Sequence, residues 1–136
     1  MAQRRPNRVL GDGHDEFWRY TAQSELRLQR CSKCGELNWP ATADVCEFCG
    51  QRQFTWEKMS GRGKLVSWCT IHQKYYDNLD TPWDTILVEL DEGPWFISDP
   101  SGFTNDEATA NMPVKVAFLD CEDDAGPFRL PVFERI

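Results

Sequence analysis

The sequence lacks the features that mark the common enzyme classes and membrane proteins. Its 136 residues include only two histidines, and no G-x-S-x-G, H-E-x-x-H, G-x-G-x-x-G or P-loop motif is present. No apolar run is long enough to cross a bilayer. The amino-terminal residues include arginines where a secretory leader would have an apolar region. We therefore expect a soluble, cytoplasmic protein that does not bind membranes.

Basic charge is also scarce. Lys and Arg number 15 against 22 Asp and Glu, which gives a formal net charge of −7. Residues 75–136 hold three basic and fourteen acidic side chains, whereas residues 27–74 hold eight basic and four acidic ones. Nucleic-acid-binding proteins usually carry the opposite charge, so the acidic half argues against a polyanionic partner. The mildly basic part either receives a compact anion such as a nucleotide phosphate or is an ordinary solvated surface.

Four of the six cysteines form two C-x-x-C-G knuckles, with Cys31 and Cys34 in the first and Cys46 and Cys49 in the second. Two thiolates in one tight turn can bind a single ion, and the glycine after each pair relieves the backbone there. The alternatives are a redox pair, which normally occurs singly, and disulfides, which need an oxidising compartment. The pattern predicts one structural zinc ion bound by all four cysteines, with no position open for catalysis.

The remaining patterns predict a mainly β protein. Asp12 is the predicted N-cap of a short aromatic helix, and residues 1–11 are predicted to be flexible. A glycine turn at residues 60–63 precedes five segments with the composition and alternation of strands. The predicted strands are residues 64–71, 85–90, 95–98, 112–119 and 129–133. Five strands with one long mid-barrel connection favour an oligonucleotide/oligosaccharide-binding (OB) barrel, and a five-stranded sandwich is the alternative.

These patterns divide the chain into three parts. Residues 1–25 are a predicted tail and helix, residues 26–59 a zinc ribbon, and residues 60–136 an OB-fold domain. Within the last part, residues 106–108 are predicted to form one helical turn. The acidic residues at 120–124 are predicted to form a solvated hairpin loop.

Few side chains are candidates for catalysis. Cys69 and His72 lie three residues apart on a predicted strand, so their side chains would point to opposite faces. Acidic neighbours around Cys121 would oppose its ionisation, and His14 is expected to be a solvated residue before the helix. We therefore expect no independent catalytic site in this chain.

The ordered combination of motifs resembles a known family. The motifs are a helix, CSKCGELNWP, CEFCG, a tryptophan, SGRGKLVSWCT and an acidic β half ending in RLPVFE. This order is similar to that of the zinc-ribbon plus OB-fold proteins of acyl-CoA metabolism known as domain of unknown function thirty-five, over about Phe17 to Glu134. Besides the cysteines, the family positions are filled by Trp39, Pro40, Gly61, Gly63 and Thr70. The sequence departs from the family pattern at Ala41, where a second proline is common, and at Cys69.

The resemblance implies a rubredoxin-like zinc ribbon followed by a five-stranded OB barrel. It also implies an accessory subunit that binds a thiolase-superfamily protein, whose chain supplies the reactive cysteine and histidine. An acyl-CoA thioester would then be a shared ligand of the hetero-oligomer. Two alternatives stay open: a protein that binds single-stranded nucleic acid through stacking aromatics, and a structural module without CoA contact.

Two groups of residues are candidates for these interactions. Exposed aromatic side chains are favoured at protein interfaces, although rings in a loop can also cap a barrel end. The candidate interface residues are Phe17, Trp18, Tyr20, Tyr75, Tyr76 and Trp83. Arg62 and Lys64 flank Gly63 in the predicted turn, where the backbone can approach a ligand closely. They are the candidates for binding CoA phosphates, and ordinary solvated turn residues are the alternative.

Overall fold

A computed structural model describes residues 2–11, 13–39 and 44–136, and this part of the chain is mainly β. Its single α-helix is α1, His14–Ala22. The strands are β1 Gln3–Arg4, β2 Arg27–Cys31, β3 Leu37–Asn38, β4 Phe54–Lys58, β5 Arg62–Ile71, β6 Trp83–Leu90, β7 Trp95–Ser98, β8 Pro100–Ser101, β9 Pro113–Asp123 and β10 Gly126–Arg135. A 3₁₀ turn, Asn105–Glu107, confirms the helical turn predicted near this position. The predicted N-cap, Asp12, lies outside the described residues, and Gly13 occupies the N-cap position of α1.

The zinc ribbon contains a small antiparallel sheet in the order β3-β2-β4. Strand β2 pairs with β4 from Arg27 opposite Lys58 to Cys31 opposite Phe54. Arg30 joins the sheet to the first knuckle, because its guanidinium donates to the Glu57 carboxylate at 2.6 and 3.0 Å and to the Gly35 carbonyl. The sheet therefore holds the carboxyl end of β2 beside the knuckle.

The second sheet forms the OB barrel. Its strand order is β7-β6-β5-β9-β10-β8, and β1 adds to β9 in parallel. Two hydrogen bonds bring its ends together: the Phe133 amide donates to the Asp99 carbonyl at 3.1 Å, and the Ser98 hydroxyl donates to the Pro131 carbonyl at 2.8 Å. The five predicted strands are present, with β9 and β10 longer than predicted. The predicted fold class is confirmed.

The glycines between the ribbon and the barrel permit close strand packing. A Cβ atom on Gly63 would lie 2.4 Å from the Glu89 carbonyl oxygen, and one on Gly61 would lie 2.5 Å from Val116 Cγ1. Both distances are too short for any side chain. The G-x-G segment therefore starts β5 where its backbone must pass close to β6 and β9.

A row of aromatic rings connects the helix, the ribbon and the barrel. Phe17 of α1 contacts Trp39 with ring centroids 5.0 Å apart. Trp39, which follows β3, stacks on Phe96 of β7 at 4.7 Å with an interplanar angle of 17°. Phe96 in turn contacts the fully buried Phe133 at 5.9 Å. These contacts fix the ribbon and the helix against the barrel.

Two sequence-based predictions about the acidic residues and the amino terminus were wrong. Residues 3–4 are ordered as strand β1, which pairs with β9. The acidic residues at 120–123 belong to β9 rather than to a loop, because β9 and β10 pair as far as Asp123 opposite Gly126. Arginines of the amino-terminal segment neutralise part of this negative charge: Arg4 pairs with Asp124 and Arg8 with Asp123.

The ion pair between Arg8 and Asp123 is well shielded from water. The Asp123 side chain is 0% exposed and that of Arg8 is 11% exposed. Arg8 donates its backbone amide at 3.0 Å and its guanidinium at 2.8 and 3.2 Å to the Asp123 carboxylate. The guanidinium also lies over the ring of Phe128 at 4.3 Å. Hydrogen bonding by Arg8 holds the pKa of Asp123 well below its ordinary value.

This ion pair predicts a pH-dependent contribution to stability. Because the folded-state pKa of Asp123 is depressed, its contribution is present above the unfolded pKa of about 3.9 and is lost as the pH falls toward the folded value. We expect Asp123→Asn to lower the free energy of unfolding by about 1–3 kcal/mol at pH 7, and by less as the pH decreases below about 4. Urea denaturation at several pH values measures the difference from the parent protein.

Asp124→Asn is the matched control for this prediction. Its partner Arg4 is half exposed and the Asp124 side chain is 71% exposed, so we expect a change below about 1 kcal/mol. The parent protein and the two variants share the other pH-dependent contributions to stability, such as cysteine protonation. These contributions cancel when the free energies of unfolding are subtracted from one another. A loss for Asp123→Asn that stays constant from pH 7 to pH 3 would contradict the assignment.

Candidate metal centre

The two knuckles bring four cysteine sulfurs into one cluster. The ligand atoms of Cys31, Cys34, Cys46 and Cys49 all lie within 4.8 Å of one another. The Cys31–Cys49 and Cys34–Cys46 sulfur pairs are each 3.6 Å apart. Four sulfurs bound to one Zn²⁺ at about 2.3 Å have sulfur–sulfur distances of about 3.8 Å. The cluster therefore fits tetrahedral zinc, and its four thiolates would fill all the coordination positions.

The backbone shapes each knuckle as the C-x-x-C-G pattern predicts. Gly35 and Gly50 have φ angles of +79° and +77°, which favour glycine. Their amides donate to the carbonyls of Cys31 and Cys46 at 3.0 and 2.8 Å and close the two turns. Each turn thus directs its two sulfurs toward the shared centre.

Asn38 connects the two knuckles, and the sequence analysis did not identify it. Its side chain is 1% exposed. The amide nitrogen donates to the Cys46 sulfur at 3.4 Å and to the Glu36 carbonyl at 3.2 Å, while the side-chain oxygen accepts from the Glu47 amide at 3.0 Å. One buried side chain therefore holds the second knuckle against the end of the first. In the sequence, this role of Asn38 is indicated only by the position of a polar residue between the apolar Leu37 and Trp39.

The four thiols do not ionise alike. Burial raises the pKa of Cys46, but hydrogen bonds from Asn38 and from the Phe48 and Cys49 amides outweigh it and lower the pKa to about 6. A backbone hydrogen bond lowers the pKa of Cys34, but burial and the neighbouring sulfurs outweigh it and raise the pKa to about 12. Four adjacent thiolates repel one another, so a bound cation is needed to keep all of them ionised near neutral pH.

The remaining catalytic candidates do not assemble into a site in the described part of the chain. Cys121 is fully buried, and burial raises the pKa of its thiol. Cys69 is exposed on β5, and His72 lies just beyond the end of that strand. Within residues 2–11, 13–39 and 44–136, the four knuckle cysteines are the only cluster of His, Cys, Asp or Glu with metal-site spacing.

The structure divides the predicted interface residues into two groups. Phe17 is 6% exposed, so its assignment to an exposed interface was wrong: the ring is needed to join α1 to the ribbon. Trp18 is half-buried and packs on Phe128 with ring centroids 5.3 Å apart, and Tyr20 contacts Trp56 at 5.7 Å.

The second group lies in and beside the loop that follows β5. Tyr75 and Tyr76 are 64% and 52% exposed, and Trp83 is half-buried at the start of β6. The side chain of Asn78 donates to the Arg5 carbonyl at 3.0 Å and ties this loop to the amino-terminal segment. The two tyrosines are therefore available to a partner in a loop that is fixed to the barrel.

Arg62 and Lys64 lie on one face of β5. Lys64 forms an ion pair with Glu89 at 3.3 Å, which reduces its net charge at the surface. Arg62 is exposed and lies opposite Lys115 of β9. The geometry leaves both side chains reachable from solvent, and their binding of CoA stays a prediction.

Strand β7 carries exposed apolar side chains that the sequence analysis did not assign to a surface. Trp95 is 55% exposed and Ile97 is 73% exposed. Trp95 and Phe48, which is 58% exposed, both line a cleft between the ribbon and the barrel. The residue pattern predicted β7 as a strand, but it did not indicate which face of β7 is exposed to solvent.

Comparison with known proteins identifies the family. The family model described as "ChsH2, rubredoxin-like zinc ribbon domain" matches residues 18–55, and that described as "ChsH2, C-terminal OB-fold domain" matches residues 56–119. The chain belongs to this zinc-ribbon plus OB-fold family. The resemblance inferred from the motifs is confirmed.

Relatives include subunits of larger enzymes and separate small proteins. The chain is 30% identical over 118 residues to a "Probable enoyl-CoA hydratase alpha subunit" of Thermomonospora curvata, covering 86% of this chain and 36% of that protein. It is 28% identical over 107 residues to the "3-oxo-4,17-pregnadiene-20-carboxyl-CoA hydratase alpha subunit" of Mycobacterium tuberculosis, covering 79% and 34%. It thus spans about a third of the length of these two relatives. A "DUF35 domain-containing scaffold protein" of Pyrococcus furiosus is 25% identical over 105 residues, covering 74% of each chain.

Solved structures show the same architecture. A chain of the structure named "Ltp2-ChsH2(DUF35) aldolase" matches with a TM-score of 0.81 and 26% identity, covering 95% of this chain and 98% of that one. A DUF35 protein of Sulfolobus solfataricus matches with a TM-score of 0.59 and 18% identity, covering 78% of each, and shows the fold alone. In the described residues, no helix is long and apolar enough to cross a membrane.

The role of Asn38 is testable by substitution. We expect Asn38→Leu, which keeps the size of the side chain, to weaken zinc binding by about 10–100-fold, because the Cys46 sulfur and the Glu47 amide lose their partner. Competition with a chromogenic chelator measures the affinity. Cys69→Ser is the control, since the thiol of Cys69 lies outside the cluster, and it should bind one zinc ion as the parent does. Unchanged affinity in Asn38→Leu would contradict the assigned role.

Proposed function

We propose that the protein is a non-catalytic accessory subunit that binds a thiolase-superfamily chain and helps to shape its acyl-CoA site. The observation that carries the proposal is the end-to-end similarity to a chain of the "Ltp2-ChsH2(DUF35) aldolase", a name that joins two components in one enzyme. The name "scaffold protein" of the archaeal relative supports a structural role. The name "enoyl-CoA hydratase alpha subunit" supports a place in a multi-subunit enzyme that acts on CoA thioesters.

In this proposal the zinc ion has a structural role. Cys31, Cys34, Cys46 and Cys49 hold one ion, which supplies no coordination position for a substrate. When bound, the ion cross-links the two knuckle turns and so contributes to the folding free energy. Residues 26–59 form the ribbon domain, residues 60–136 form the OB domain, and residues 1–25 join the two.

The partner binds the exposed aromatic loop in this proposal. Tyr75 and Tyr76 present large rings on an acidic protein, and tyrosines in such positions often contribute much of the binding energy of an interface. Trp83 at the end of the loop extends the surface, and the half-buried Tyr20, which packs on Trp56 of the ribbon, is assigned to the interface as a separate contact. Trp95 and Ile97 add a second apolar surface on β7. Phe17 and Trp18 act indirectly, because they fix α1 to the ribbon and the barrel.

The acyl-CoA is a shared ligand of the complex. The proposal assigns the CoA phosphates to Arg62 and Lys64, which lie on one face of β5 near Lys115. Among the described residues, Arg62 has no acidic side chain within ion-pair distance, so its guanidinium is free for a phosphate. The reactive cysteine and histidine belong to the partner.

The proposed interface predicts a loss of affinity on loop truncation. The partner to use is the thiolase-like protein that copurifies with the chain or is encoded beside it. We expect Tyr76→Ala to weaken this complex at least tenfold, as truncation of a central aromatic residue typically does. Isothermal titration calorimetry with the purified partner measures the dissociation constant.

Ile136→Ala is the control, because Ile136 is 61% exposed, directly follows β10 and does not line the cleft that the loop residues line. Its complex should keep the parent affinity. Full affinity in a variant that lacks both Tyr75 and Tyr76 rings would refute the proposed surface. Hydrolysis or cleavage of an acyl-CoA by the isolated chain would refute the non-catalytic role.

A further inference from the structure

An apolar chamber of about 450 Å³ lies where the helix, the ribbon and the barrel meet. Aromatic rings from all three parts form its walls. These rings are those of Phe17, Trp18, Trp39, Trp83 and Phe96. Leu130 and Pro131 of β10 add to the same surface. The chamber therefore exists only when the ribbon and α1 are docked on the barrel.

The chamber borders the packed core. Phe17 and Phe96 line the chamber and belong to the same hydrophobic cluster as the fully buried Leu65, Val114 and Phe133. Protein cores contain few voids larger than a water molecule, whereas ligand pockets typically have volumes of about 300–1,000 Å³. The space of about 450 Å³ between the rings lies within the size range of ligand pockets, and its lining is mainly apolar.

Four of the five polar or charged side chains that line the chamber, those of Arg5, Thr85, Ser98 and Asp99, have partners in the fold. The fifth is His14, the first residue of α1, which forms no side-chain hydrogen bond or ion pair with another described residue. Arg5 forms an ion pair with Asp99, and both side chains are largely buried. The Ser98 hydroxyl donates to the Pro131 carbonyl at 2.8 Å, and the Thr85 hydroxyl donates to the Ser98 carbonyl at 3.1 Å. Except at His14, a polar ligand would have to displace these bonds, so most of the wall favours an apolar ligand.

The chamber is open to solvent on one side. Val9 and Ile97 line it and are 66% and 73% exposed, so the opening lies between the amino-terminal segment and β7. The nearby guanidinium groups of Arg5 and Arg8 are paired with Asp99 and Asp123. The highly charged part of a ligand would therefore remain outside, and its apolar part would enter.

We propose that this chamber binds the apolar part of an acyl group, either a medium-length chain or a compact ring system. This inference rests on the proposed function, because it names the part of the acyl-CoA that this chain accepts. The flat stack of Trp39 on Phe96 forms a rigid wall for such a group. The carboxyl or thioester end projects between Val9 and Ile97, where the partner can reach it.

The six tryptophans allow a test on the isolated protein. Trp18, Trp39 and Trp83 line the chamber, whereas Trp56, Trp68 and Trp95 do not. The probe is decanoate below its micellar concentration, and adipate, which has a charge at each end, is the polar control. In two-dimensional NMR spectra of the zinc-loaded protein, we expect decanoate to shift the indole signals of the first three tryptophans saturably. Adipate should shift none of the six.

Filling the chamber should remove the binding. We expect Leu130→Trp to bind decanoate at least tenfold more weakly than the parent protein. Leu119→Trp is the matched control, because Leu119 lies directly opposite Leu130 on β9 but does not line the chamber, and it should bind as the parent does. If Leu130→Trp does not fold, Val9→Trp fills the chamber from its exposed side and should weaken binding in the same way.

Several outcomes would overturn the proposal. They are the absence of saturable shifts with decanoate, equal shifts at all six tryptophans, and unchanged binding in the filled variant. The test needs no partner protein, so its failure would leave the proposed complex intact. Conversely, decanoate binding by a chain that forms no complex with a thiolase-like protein would refute the proposed function alone.

Discussion

The structure depends on the stack of Trp39 on Phe96. Trp39 follows β3 of the ribbon, Phe96 lies in β7 of the barrel, and Phe17 of α1 contacts the Trp39 ring at an interplanar angle of 54°. Each contact buries large apolar surface, and each joins elements that are distant in sequence. The stack adds to a core that the two sheets share, because Leu28 of β2 and the neighbouring Leu26 and Met59 belong to the same hydrophobic cluster as the barrel residues. These rings contribute to the relative position of the ribbon and the barrel and form walls of the chamber between them.

The zinc cluster and the aromatic stack stabilise the structure in different ways, and each involves a residue in or next to β3. The four cysteines order two turns that have little core of their own, as expected for a ribbon of this size. The aromatic rings attach that ordered unit to the barrel. Asn38 contacts the metal cluster and its neighbour Trp39 contacts the barrel, so two adjacent residues connect the two sources of stability.

Patterns local in sequence predicted most of the fold. The knuckles, the glycine turn and the five barrel strands each have a short-range signature in composition, spacing or alternation. The features that the sequence did not show depend on contacts between distant residues. The ion pair of Arg8 with Asp123 joins residues 115 positions apart, and the pairing of β9 with β10 extends through a segment that was predicted to be a loop. Phe17 and Trp95 illustrate the same limit, because both are aromatic but only Phe17 is buried, and the local sequence does not distinguish them.

The central claim is that the ribbon and the barrel form one cooperative unit through the contact of Trp39 with Phe96. The most direct measurement is thermal unfolding followed by two signals, zinc release to a chromogenic chelator and far-ultraviolet circular dichroism of the barrel strands. The account predicts coincident transitions in the parent protein and earlier zinc release in Trp39→Ala. Zinc release well below the unfolding of the barrel in the parent protein, unchanged by Trp39→Ala, would contradict it.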